Sequence, residues 1–188
     1  MKFRYKAMIA AVIACIIELL VFNGSAILFS MDRNAEKNRV IEPEQMTWLN
    51  WTPLDEAWVT ELDPQILISG IDTYVRELEI TAELSEEIPF IVVYYKTDDS
   101  QEFSDARMTF TDQVQTVNRL FIRNPVTELR IDLGDNAGVR LQNLTVVLNP
   151  DRFHFSLSRV IAMLLIYVVS VGLFRFQKSP EYHLEDTE

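Results

Sequence analysis

Two apolar blocks, Ala7–Phe29 and Phe155–Phe174, constrain this chain more than any other feature. Each is long enough to cross a hydrocarbon core of about 30 Å as a helix, at about 20 residues per span. The stretch between them is polar and acidic. Residues 31–155 hold 23 Asp and Glu against 11 Lys and Arg. The whole chain carries a net charge of −11, so its acidity belongs to this middle region. A nucleic-acid partner is excluded as an expectation, because such binding needs a basic footprint.

The flanks set an expected topology. Lys2, Arg4 and Lys6 precede the first block, and Arg175 and Lys178 follow the second. Short loops rich in Lys and Arg stay cytoplasmic. The expected order is a cytoplasmic start (1–6), a first transmembrane helix (7–29) and a juxtamembrane connector (30–45). An extracytoplasmic domain (46–150), a second transmembrane helix (155–174) and a cytoplasmic tail (175–188) follow. Two other readings of the first block stay open. Gly24 and Ala26 could mark the cleavage site of a signal peptide, and "VIAC" (Val12–Cys15) loosely matches a lipidation box. The apolar run continues through "AILF", which favours an uncleaved anchor. Cys15 is the sole cysteine, so a packed core, not a disulfide, must hold the middle domain.

Glu18 interrupts the first block near its midpoint. A charged side chain there costs about 2.5–3.5 kcal/mol on insertion scales. Counting from Lys6 places it roughly 18 Å deep at 1.5 Å per residue. The matching level on an antiparallel second helix is near Met163; Arg159 and Tyr167, each about one turn away, are possible but imperfect partners. No cation of this chain is expected level with Glu18. The expectation is therefore a polar contact with another integral membrane subunit; the plainer alternative is one acid tolerated among apolar neighbours.

Between the blocks, the periodicity is that of strands. "RELEITAEL" (Arg76–Leu84) puts Leu78, Ile80, Ala82 and Leu84 on one face and Glu77, Glu79, Thr81 and Glu83 on the other. "FIVVYYK" (Phe90–Lys96) reads as a central strand. Further strands are expected at "AWVTE", "QILISG", "ARMTFT", "QTVNRLFI", "TELRIDL" and "VRLQNLTVVL", the last with a bulge near Gln142 and Asn143. Residues 31–45 read as a polar connector with at most a helical turn. Short strands separated by Asp, Asn and Pro turns indicate an all-β sandwich or barrel.

Signals for catalysis are poor, and neither an enzyme nor a cofactor is expected. His154 and His183 lack metal-ligand spacing with each other or with Cys15. No glycine-rich phosphate loop occurs. Asp132, Asp135 and Asn136 in "DLGDN" offer oxygens for Ca²⁺, although Asp and Asn are also ordinary turn residues. Trp48, Trp51, Trp58 and one of the adjacent pair Tyr94 and Tyr95, taken as Tyr95, are candidates to stack on a glycan or contact a partner. The same rings also serve as core.

Two stretches carry a family resemblance. "ELLVFN" (Glu18–Asn23), ahead of an exported β domain, resembles the amino-terminal module of bacterial membrane proteins of cell-surface polysaccharide assembly, including glycosyltransferase-like proteins. "VTELRIDLGDNAGVRLQNLTVVL" (Val126–Leu148) is similar to the closing strands of that module and of galactose-binding-like jelly rolls. The resemblance implies a jelly-roll-like sandwich inserted between two transmembrane helices in a bacterial cell membrane. It also implies an accessory or assembly role beside glycan synthesis or export. The alternative is an envelope protein that binds another protein without recognising sugar.

Overall fold

The computed structural model describes residues 2–31, 35–99 and 102–177, with backbone alone at 2–4 and 174–177. Lys178, His183 and the rest of the expected tail from 178 lie outside the described residues. The chain divides into a helical unit, Met1–Phe29 with Arg152–Glu188, and a β unit, Ser30–Asp151.

The β unit is built from seven strands among the described residues: β1 (Arg39–Ile41), β2 (Met46–Leu54), β3 (Ala57–Leu84), β4 (Ile91–Lys96), β5 (Met108–Thr111), β6 (Val117–Leu133) and β7 (Arg140–Leu148). They join in the order β1-β7-β3-β6-β4-β5, with β2 also on β3. Two very long strands make this one sheet into two layers. The first half of β3 pairs with β2 and with the second half of β6, Gln65–Ser69 opposite Asp132–Glu128. Its second half pairs with the first half of β6, Glu77–Thr81 opposite Phe121–Val117, and with β7, Leu78 opposite Leu148. One layer is thus β2, β3, β6, β4 and β5; the other is β1, β7, β3 and β6.

The corner between layers is made by bulges rather than loops. The β3–β6 register shifts between Ser69 and Thr73 and again between Val75 and Glu77. Gly70, Asp72 and Arg123 have positive φ there, at 69°, 46° and 60°. Left-handed residues at bulges bend a strand and increase its twist. This corrects the sequence-based segmentation. "AWVTE", "QILISG" and "RELEITAEL" are one strand, as are "QTVNRLFI" and "TELRIDL", because the breaks between them are bends that keep the ladder.

Alternation holds where it is clean. Leu78, Ile80 and Ala82 are buried, as are Leu129, Ile131 and Leu133. In β7, Glu83 faces Asn143 and Leu84 faces Leu141, so Gln142 is the extra residue of the expected bulge. The two layers share one core that includes Ile66, Ile68, Leu78, Ile80, Leu129, Ile131 and Leu148. The connector reading is corrected in part. Ile41 is 2% exposed, and β1 joins the sheet edge beside β7. β2 was not expected as a strand; Asn50, with φ 60° at a register shift, breaks its alternation.

Asn149 ties the β unit together. It is 1% exposed and sits just past β7. Its Oδ1 accepts the Arg76 N–H at 2.7 Å, and its Nδ2 donates to the Glu36 and Tyr74 carbonyls at 2.8 and 2.7 Å. Buried backbone groups freed by the β3 bulge must find partners, and one side chain supplies several of them.

The helical unit contains α1 (Lys2–Ile17), a π-helical turn (Glu18–Phe22), α2 (Gly24–Ser30) and α3 (Leu157–Gln177). Among the described residues one helix is long and apolar enough to cross a membrane, with its apolar window at Tyr5–Phe22. The expected second span is not seen among the described residues: α3 starts at Leu157, and its described apolar stretch is Leu157–Leu173.

Candidate functional site

The outer face of the larger layer is a grid set by strand register. One row runs Gln65, Asp132, Val92, Phe110; the next runs Leu67, Arg130, Tyr94, Met108; a third joins Ser69, Glu128 and Lys96. These residues alternate with core residues Ile66, Ile131 and Val93, so they face away from the core.

Charge and aromatic surface meet in the middle of this grid. The Arg130 guanidinium carbon lies over the Tyr94 ring, 4.1 Å from its centroid, and 5.7 Å from that of Phe103. Arg130 Nη2 donates to Asp132 Oδ2 at 2.9 Å. Lys96 Nζ donates to Glu128 at 2.8 Å and sits 4.6 Å from the Phe103 centroid. Phe110 is 60% exposed at the rim. The loop carrying Phe103 is fastened by Arg107, which donates to both carboxylate oxygens of Asp99 at 3.1 Å. The Thr97 hydroxyl, and then Arg107, hold the Asp99 carboxyl below the usual range.

Asp132 is the unusual member. It is 8% exposed, and burial pushes its carboxyl up despite the opposing pull of Arg130; Asp63 and Asp135 add to the rise. Its Oδ1 and the Arg130 Nε are both buried and lack a hydrogen-bond partner. Such unmet groups are uncommon and call for an explanation. One is an acceptor and the other a donor. A hydroxyl group is both.

The sequence-based candidates fare unevenly. Trp51 belongs to the core, and Trp48 and Trp58 pack against it. The Trp48 and Trp58 rings stack at 4.7 Å and 4°, with Trp51 edge-on to Trp48 at 5.4 Å. In this trio Trp51 is buried, and Trp48 and Trp58 are half-buried. Tyr95 is half-buried as well: it packs against the core, opposite Leu129, and its hydroxyl accepts from Asn124 at 3.0 Å. The outward ring of the pair is Tyr94. Both parities of "FIVVYYK" are apolar, so the sequence did not say which tyrosine faced out.

Of the Ca²⁺ candidates Asp132, Asp135 and Asn136, the first and last have protein partners. Asp132 directs its carboxylate to Arg130, and the Asn136 carbonyl accepts from the Thr60 hydroxyl at 2.6 Å. Among the described residues no group of three or more His, Cys, Asp or Glu is arranged for a metal ion. Arg130, Tyr94 and Phe103 were not singled out by the sequence; only the Tyr94–Tyr95 alternation hinted at one of them.

A second cleft of about 800 Å³ lies between the β3–β4 and β5–β6 loops. Glu83, Glu86, Glu87 and Asp112 are among its lining residues, and none of those residues is aromatic.

Glu18 lies elsewhere, in the helical unit, and is 0% exposed. Arg159 Nε donates to its Oε2 at 2.9 Å and Arg159 Nη2 to its Oε1 at 2.6 Å. The Ser156 N–H at the start of α3 donates to Oε1 at 2.8 Å, placing the carboxylate where a helix N-terminus favours an anion. Asn23, at the end of the π-helical turn, accepts the His154 N–H at 2.8 Å. The expectation of no matching cation is therefore corrected. The helices pair with Glu18 beside Arg159 rather than Met163, and the carboxylate needs no second subunit.

No protein-family model matches this chain, and no curated protein matches it. Among solved structures, the chain is similar to a low-affinity xylan-binding module, CBM86, from Roseburia intestinalis. The identity is 15%, the TM-score 0.42, and the match covers 60% of this chain and 95% of that one. It is also similar to a family 29 carbohydrate-binding module, at 12% identity and TM-score 0.38, covering 63% and 90%. A Clostridium perfringens carbohydrate-binding module in complex with GlcNAc-α-1,4-galactose matches at 12% identity and TM-score 0.37, covering 62% and 93%.

Proposed function

We propose that this protein is a non-catalytic, membrane-anchored glycan-binding protein. It binds through the outer sheet face centred on Arg130, Asp132 and Tyr94. The observation that carries the reading is the unmet pair, Asp132 Oδ1 and Arg130 Nε, beside aromatic rings. A sugar hydroxyl donates to the first and accepts from the second, while Tyr94, Phe103 and Phe110 offer apolar faces to ring C–H groups. Both unmet atoms are covered, so the ligand reaches them by shifting the Arg130 side chain. That side chain is held by one ion-pair bond and ring contacts.

The apolar helix through Tyr5–Phe22 and α3 form the anchor, with both chain ends cytoplasmic and the sandwich extracytoplasmic. In a bacterial envelope this suits an accessory subunit of glycan synthesis or export, as the resemblance implies.

The test is a glycan array probed with the full chain in nanodiscs. The reading expects retention on a subset of glycans, lost in Arg130→Ala, weakened in Tyr94→Ala and kept in Trp48→Phe. No retained glycan, or retention unchanged in both face variants, overturns it.

A further inference from the structure

Between α1 and α3 runs an apolar groove of about 590 Å³. Ala10 and Ala14 form much of its floor on α1, Met163 and Ile166 lie on α3, and Tyr167 and Lys6 line it as well. Lys6 is the sole charged residue among those lining it. From Lys6 to Ile17 the groove follows eleven residues of helix, roughly 17 Å at 1.5 Å per residue. That is about half of a 30 Å hydrocarbon core.

We propose that this groove holds an acyl chain of an anionic phospholipid of the inner leaflet, with its phosphate at Lys6. The inference rests on the reading of the helical unit as membrane-embedded. Two observations support this occupant. Along α1 the groove is about one leaflet long. Lys6, the sole charged residue among the described lining, stands at the end that the positive-inside rule puts at the cytoplasmic surface, where anionic headgroups gather. At the other end the lining stops at Ile17, and the neighbouring Glu18 is paired with Arg159.

Native mass spectrometry of the full chain from nanodiscs of phosphatidylcholine and phosphatidylglycerol tests this. The expected result is one retained phosphatidylglycerol per chain. Lys6→Gln should cut the preference over phosphatidylcholine roughly fivefold, the worth of one lysine near an anionic surface. Ala10→Leu fills the groove from its floor, and Ile166→Trp fills it from its open side. Ile166 is 67% exposed, so the second variant spares the packing. Either should abolish retention. Absence of retained lipid, equal retention of both lipids, retention unaffected by both filling variants, or a second copy of the chain held in place of lipid each overturns the proposal. Alkaline extraction of native membranes separates the two levels. Release into the soluble fraction defeats the membrane reading itself, whereas a chain that stays in the pellet without lipid defeats only the groove.

Discussion

Glu18 receives two arms of the Arg159 guanidinium, at 2.9 and 2.6 Å, while the buried side chain also accepts the Ser156 N–H. A paired carboxylate of this kind is weak evidence for stability, but removing one partner strands the other. Glu18→Leu should lower the melting temperature of the detergent-solubilised chain. Glu18→Leu with Arg159→Leu should recover part of the loss, because no unpaired cation remains. Arg159→Lys, which cannot form the two-armed bond, should fall between wild type and Glu18→Leu. Equal melting temperatures for the single and double leucine variants would show that the pair is not coupled.

Asn149 supports a second prediction, on stability of the β unit. Its side chain serves the Arg76 N–H and the Glu36 and Tyr74 carbonyls. Each buried group left without a partner costs about 1–3 kcal/mol. Asn149→Ala should therefore destabilise the protein by roughly 3 kcal/mol or more. Asn149→Asp keeps the acceptor but sets a buried carboxylate oxygen against the Glu36 and Tyr74 carbonyls, so it should cost at least as much. Urea unfolding followed by tryptophan fluorescence measures both.

Asp132 makes the protein's stability depend on pH with a definite sign. Its folded carboxyl titrates above the ordinary value of 3.8, chiefly because of burial. Its contribution to stability is fully present below that ordinary value and is lost as pH rises through the raised one. Asp132→Asn should consequently be more stable than wild type at neutral pH, with the gap closing as pH falls toward 3.8. Asp99 has the opposite sign: its lowered carboxyl contributes above 3.8 and loses that contribution as pH falls further. Thermal melts of the two single variants, Asp132→Asn and Asp99→Asn, from pH 3 upward distinguish them (roughly the carboxylate range).

The aromatic residues divide into two classes with separable phenotypes. Trp48 stacks on Trp58 against the core, so Trp48→Ala should lower stability by about 3–5 kcal/mol or somewhat less, given its partial burial. Tyr94 lies on the outer face beneath Arg130, so Tyr94→Ala should change stability little and weaken glycan retention about 2- to 10-fold, the worth of one aromatic contact. Melting temperature and affinity electrophoresis on the same preparations read both effects. A Tyr94→Ala protein with full retention would remove this ring from the site.

Much of the fold was legible because strand alternation is a local signal. Leu78, Ile80 and Ala82, Leu129, Ile131 and Leu133, and the bulge at Gln142 could be read one segment at a time. Strand continuity could not. Gly70, Asp72 and Arg123 look like loop residues in a sequence, yet with positive φ they bend a ladder that continues on both sides. The connector hid β1 because a three-residue strand carries too few positions to show a period.

Sequence alone determined that an acidic, strand-forming middle lies between two apolar blocks, since composition and period belong to the chain itself. Tertiary structure alone decided which groups meet. Arg159 reaches Glu18 from 141 residues away because α3 begins beside the π-helical turn, a helix offset that no local pattern encodes. Tyr94 rather than Tyr95 faces outward because the register with β6 sets Tyr94 against Arg130 and Tyr95 against Leu129. In both cases the deciding quantity is the alignment of one element on another, and that alignment is fixed by packing.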